Sequence, residues 1–136
     1  MNAIAAEQST SLIAFTLPGT PYSVAMARFY VRAALGQHDL GDFTDDVETV
    51  TSELVSNAIA HASARAFDLE VLRLDSSGAV VVVVTDPCPL PPVKRDPAAD
   101  AEHGRGLLVV ETLSARLGWT SHGPGKAVFA IFTREG

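Results

Sequence analysis

Positive charge is scarce in this chain. Ten Lys and Arg stand against sixteen Asp and Glu, a formal net charge of −6 over 136 residues. A duplex binder needs a basic face to neutralise phosphates, so direct contact with nucleic acid is not expected. No stretch interleaves Lys and Arg with aromatic residues. Cysteine is nearly absent as well. Cys88 alone cannot form an internal disulfide, which suits a reducing compartment, and it reads as an inert thiol. Long apolar runs are missing: Ala79–Val84 is far too short to span a bilayer, so no membrane contact is expected. The first ten residues hold no positive segment followed by an apolar one, and hence no secretory signal. The histidines show no metal-ligand spacing and the chain no internal repeat. These absences leave a globular, cytoplasmic protein.

What is present is enough apolar material for a core. Apolar residues make up 47% and charged residues 19%, which suits one ordinary domain. The expected organisation is a flexible N-terminus over residues 1–10 and a single domain over 11–136. Ser11–Leu17 has strand character up to Pro18-Gly19. Pro21 suits a first helical turn, and Tyr22–Leu35 carries apolar residues at helical spacing until Gly36. Met26, Phe29 and Tyr30 on that helix read as core or, alternatively, as a homodimer surface. After a turn at Gly41-Asp42, Asp45 with Glu48 three residues later resembles a capping arrangement opening a second helix.

Phe67–Leu74 then alternates as a strand, Asp75–Gly78 forms a hairpin turn, and Ala79–Thr85 is a β-branched run expected to be a buried central strand. Residues 87–103 hold five prolines and no periodicity, and a loop this long inside a compact domain is usually functional. A helix over Leu107–Leu117, a strand around Trp119, a turn at Gly123-Pro124-Gly125 and a strand over Ala127–Thr133 complete the chain. This order predicts an α+β two-layer sandwich, a mixed and mostly antiparallel sheet with helices on one face.

Three segments carry chemistry. On the second helix, Glu53, Asn57 and His61 follow at steps of four, each drifting only about 40° around the axis, so a carboxylate, an amide and an imidazole share one edge. That edge borders the apolar stripe of Val47, Val50, Leu54 and Ala58, where a pocket would lie. A plain polar edge is the alternative. Asp86 ends the buried run, where it can accept a hydrogen bond from a polar ligand edge such as an exocyclic amine, or simply form the turn before Pro87. Gly104-Arg105-Gly106-Leu107 opens a helix whose N-terminal amides favour an anion. Neither a Rossmann nor a Walker motif is present.

Taken in order, Glu53-x-x-x-Asn57-x-x-x-His61, the strand ending in Asp86, Gly104-Arg105-Gly106-Leu107 and the closing Gly125-Lys126-Ala127-Val128-Phe129 resemble the GHKL ATPase superfamily. The similarity is strongest to its small anti-sigma-factor serine/threonine kinases of the RsbW and SpoIIAB type. It implies a Bergerat fold that holds ATP between the helical layer and a lid at residues 87–103. It also implies that Asn57 ligates Mg²⁺, Glu53 acts as general base, Asp86 receives the adenine amino group, and the amides around Gly104 and Gly106 cradle phosphates. Arg105, Leu107 and His61 match the pattern, His61 either closing its helix or touching ligand. Two departures stand out. Pro87-Cys88-Pro89 replaces the glycines that follow the aspartate in a full G1 box, and Ala127 stands where the family often has a threonine on the adenine side.

The implied activity is Mg·ATP-dependent phosphorylation of a STAS-type anti-sigma antagonist by a protein that also binds a sigma factor. The alternative is a partner-binding switch without catalysis, sensing ATP or independent of it.

Overall fold

The computed structural model describes residues 8–61, 65–91 and 113–134, with the backbone only for His61. Its elements are β1 (Ser9–Pro18), α1 (Tyr22–Gln37), a 3-10 turn (Gly41–Phe43), α2 (Thr44–His61), β2 (Ala66–Leu74), β3 (Val80–Asp86), β4 (Arg116–His122) and β5 (Gly125–Phe132). The strands form one sheet in the order β1-β2-β3-β5-β4, and every pairing is antiparallel where the sequence allowed a mixed sheet.

The valine run makes β3 the centre. Val80, Val82 and Val84 join the main core under α1 and α2 with Leu69, Val71, Val128 and Ala130. Val81 and Val83 project to the other face, where Leu72, Phe129 and Ile131 meet them. Apolar residues on both faces explain why the run is continuous rather than alternating. Val47, Val50, Leu54 and Ala58 are all buried, so the stripe read along α2 is its core face.

Several boundaries move for local reasons. β1 starts at Ser9, because Ser9 and Thr10 pair with Leu74 and Arg73 and the Thr10 hydroxyl donates to Asp75 at 2.8 Å. α1 runs past Gly36 to Gln37 and is reversed at Asp39, whose φ of 58° lies in the left-handed region that aspartate tolerates. The Leu40 amide then donates back to the Leu35 carbonyl at 2.8 Å. Leu117 belongs to β4, not to a preceding helix, since the Ala115 amide already donates to the Ile131 carbonyl and Leu117 pairs with Ala130. The remainder of that expected helix, residues 107–112, lies outside the described residues. On α1, Phe29 is not core: it is 67% exposed, while Met26 is half-buried and Tyr30 packs edge-on against Phe15 at 4.7 Å.

Glu48 does not cap α2. Its buried carboxylate accepts from Arg28 Nε at 3.1 Å and Arg32 Nη2 at 2.5 Å, riveting α1 to α2. At the far end of the chain, Arg134 reaches back to Asp42 with two bonds of 2.7 and 3.1 Å and stacks over the Phe43 ring at 5.2 Å. The hydrogen bond from Arg134 holds the Asp42 carboxyl below its ordinary range. A lowered folded-state pKa adds stability above the unfolded value, and that stability is lost as pH falls through the folded one.

Glu48→Ala is expected to lower unfolding free energy by about 1–2 kcal/mol, because both guanidiniums lose a partner while keeping access to water. Urea denaturation reads this as a lower midpoint at unchanged slope. Arg134→Gln is expected to return the Asp42 titration to the ordinary carboxylate range, as followed by carbon-detected NMR.

Candidate functional site

α2 packs its apolar stripe onto β3 and β5. Glu53 and Asn57, one turn apart, are half-buried at the border of that stripe, next to buried Leu54 and Ala58. Neither side chain enters a hydrogen bond or ion pair with another described residue. His61 is the last residue of α2. The role read for its side chain falls outside the described residues, as do those of Gly104, Arg105, Gly106 and Leu107 and the lid from residue 92 onward.

Strand alternation decides which groups share the helix-covered face with α2. On β3, Asp86 is in phase with Val84 and Val82; on β5, Lys126 is in phase with Val128 and Ala130. Asp86 and Lys126 are direct cross-strand partners. The Lys126 ammonium donates to Asp86 Oδ1 at 3.1 Å, and the two side chains are only 7% and 2% exposed. Asp86 Oδ1 also accepts from the Cys88 amide at 2.8 Å, and the Lys126 ammonium reaches the Cys88 carbonyl at 3.3 Å. Asp86 is thus both a turn former and a buried ion-pair partner.

Ala127 is one residue out of phase. It pairs with Thr85 on one side and Thr120 on the other and projects from the face of the sheet opposite to that of Asp86. The residue that does occupy the adjoining position is Lys126, which sequence reasoning passed over. The signal was available: Lys126 stands two residues before Val128 and four before Ala130, a lysine in register with a core line.

Gly125 makes this corner tight. A Cβ there would lie 1.9 Å from the Asp86 carbonyl oxygen and 2.7 Å from Pro87 backbone atoms. A depression of about 290 Å³ opens at this end of the sheet, lined by Phe67, Thr85, Asp86, Pro87, Pro124 and Gly125 among others.

Residues 17–132 match the histidine kinase-like ATPase domain family. The chain belongs to that family. Among solved structures, the histidine kinase-like ATPase fold seen here is similar to the RsbU and RsbW domains of Rv1364c from Mycobacterium tuberculosis, with a TM-score of 0.65 and 18% identity. That match covers 89% of this chain and 32% of the other, so the chain spans about a third of that structure's length. No curated protein matches. The GHKL resemblance read from the motifs is therefore borne out for family and fold. No helix among the described residues is long and apolar enough to cross a membrane.

Among the described residues no three His, Cys, Asp or Glu side chains cluster to hold a metal on their own. Such a cage is not needed for Mg²⁺, which keeps waters and substrate phosphates and takes one or two protein oxygens. The Asn57 amide oxygen, one turn along the same helix edge as Glu53 and with no hydrogen-bond partner among the described residues, fits that requirement.

Gly125→Ala is expected to cost about 1–3 kcal/mol, because the clash is with backbone and not with a movable side chain. Gly36→Ala, with nothing within 4 Å of its Cβ in the last turn of α1, is expected to be neutral or stabilising. Thermal melts of the two variants, side by side, check both.

Proposed function

We propose that this domain binds Mg·ATP between α2 and the β3–β5 end of the sheet and transfers the γ-phosphoryl group to a serine or threonine of a small STAS-type antagonist. In this reading it also binds a sigma factor, acts in the cytoplasm as one domain over residues 11–136, and makes no direct contact with nucleic acid or membrane. One observation carries the proposal. Glu53 and Asn57 stand one turn apart at the border of the helix–sheet interface, and no other described side chain claims either of them.

Phosphoryl transfer asks mainly for positioning and charge neutralisation. Asn57 would hold Mg²⁺ through its amide oxygen, and Mg²⁺ when bound neutralises phosphate charge. Glu53 would accept the proton of the incoming hydroxyl as its oxygen bonds to the γ-phosphorus and the bond to ADP breaks. Gly104 and Gly106 would offer amides to the phosphates, with Arg105, Leu107 and His61 nearby in the motif. The likeness in fold to the RsbW-containing structure supports a partner-switching role, and the partner classes come from the motif resemblance. The exposed Phe29 and Tyr22 on α1 offer a surface for a homodimer.

A second reading has its own support. Asp86, the carboxylate read as the adenine acceptor, already accepts from the Lys126 ammonium. A switch that captures partners without catalysis, sensing ATP or not, would tolerate that.

Labelled ATP incubated with the antagonist separates the readings: the kinase labels it, the switch binds it unlabelled. Glu53→Ala is expected to slow labelling by about 10²-fold or more. Transfer at the parental rate would mean the base is misassigned. Asn57→Ala is expected to remove the Mg²⁺ dependence of ATP binding in calorimetry.

A further inference from the structure

We infer that Lys126 is a positioning residue for base recognition: it fixes one oxygen of the Asp86 carboxylate and so leaves the other, Oδ2, to accept the amino group of a 6-aminopurine. The inference rests on the nucleotide reading above and concerns only how the base is recognised there.

A carboxylate accepts at both of its oxygens, but at Asp86 the two are not equivalent. Oδ1 takes both donors, the Lys126 ammonium at 3.1 Å and the Cys88 amide at 2.8 Å. Oδ2 accepts from no described residue. The ammonium also donates to the Cys88 carbonyl at 3.3 Å, so these bonds join Lys126, Asp86 and the turn after β3 in a closed ring. Rotating the carboxylate out of its plane would break both bonds at Oδ1. One of them joins opposite charges on side chains only 7% and 2% exposed, and breaking it would strand a buried ammonium.

The register holds the cation in turn. Its strand partner is Asp86, and Gly125 before it leaves no room for the strand end to shift. Asp86 also lines the depression of about 290 Å³ at this end of the sheet, with Phe67, Pro87 and Pro124. A fixed acceptor there selects a ligand that brings a donor. At position 6 of a purine the amino group is a donor, whereas the oxo group is an acceptor. The ligand class is therefore a 6-aminopurine nucleoside triphosphate.

An amide in place of the carboxylate exposes what Lys126 does. The ammonium and the Cys88 N–H are both donors, so in Asp86→Asn both call for the amide oxygen and turn its NH₂ group to where Oδ2 was. The site then offers a donor, which suits a 6-oxo purine. Adding Lys126→Met removes the cation that enforces this orientation and leaves the Cys88 amide alone to hold it.

The test is competition of ATP and inosine triphosphate against a fluorescent nucleotide, in the parent protein, in Asp86→Asn and in Asp86→Asn with Lys126→Met. The parent is expected to bind ATP about tenfold tighter, the worth of one hydrogen bond to a charged group. In Asp86→Asn the preference is expected to invert, with inosine triphosphate ahead by about threefold, one neutral hydrogen bond. In the double variant that inversion is expected to shrink toward equal affinities. A purely structural Lys126 would change both affinities alike and leave the ratio where Asp86→Asn put it.

Equal affinities in the parent overturn the inference, as does the same ratio in the two folded variants. The parent competition needs no variant, so it decides even where Asp86→Asn, with its ammonium short of a carboxylate, fails to fold. In either case Mg²⁺-dependent binding lost in Asn57→Ala leaves the nucleotide reading intact. Binding of neither nucleotide by the parent overturns that reading, and this inference with it.

Discussion

The register of β3 governs the molecule. Five successive valines force burial of both faces, so β3 lies inside the sheet with β2 and β5 as neighbours. Once Val82 pairs with Ala130 and Val84 with Val128, the alternation fixes every later pair, and the last of them is Asp86 with Lys126. A slip of one residue would turn the core valines outward and put Thr85 opposite Lys126. Packing therefore holds the corner chemistry in place: the energy that sets the register comes from apolar burial, and the ion pair inherits its geometry.

Three carboxylates on the helix–sheet side show how different employment separates structure from chemistry. Glu48 is spent on joining α1 to α2 through Arg28 and Arg32. Asp86 gives its Oδ1 to Lys126 and the Cys88 amide. Glu53, on the same helix as Glu48 and five residues later, enters no side-chain bond with another described residue. A buried or half-buried carboxylate held by partners stabilises; one with no partner among the described residues, on a helix edge at a layer border, is a candidate to meet a substrate. On this division rests the proposal that Glu53 and Asn57 serve chemistry while Glu48 serves architecture.

Much of this was legible in the sequence, and the failures have physical causes. The valine run, the hairpin at Asp75–Gly78 and the stripe of Val47, Val50, Leu54 and Ala58 announced themselves, because periodicity and turn chemistry are local. Glu48 was misread because a carboxylate three residues after Asp45 looks like a cap, while its arginine partners lie 20 and 16 residues away on another helix. Phe29 was left open between core and surface because helical spacing gives a face but not which part of it faces the sheet. Lys126 was passed over because a lone lysine in an apolar strand shows no partner in the sequence, and only the pairing of β3 with β5 sets it opposite Asp86. The helix expected to run through Leu117 overran because Arg116 and Leu117 are acceptable in either state, and only pairing with Ile131 and Ala130 makes them strand.

The measurement that bears most directly on the account is a crystal structure with Mg²⁺ and a non-hydrolysable ATP analogue. The account predicts phosphates and Mg²⁺ beside Asn57, Glu53 facing the γ-phosphate from the same helix edge, and the base at the β3–β5 corner with the Lys126–Asp86 bond intact. Nucleotide bound on the opposite face of the sheet, beside Thr85 and Ala127, would contradict it.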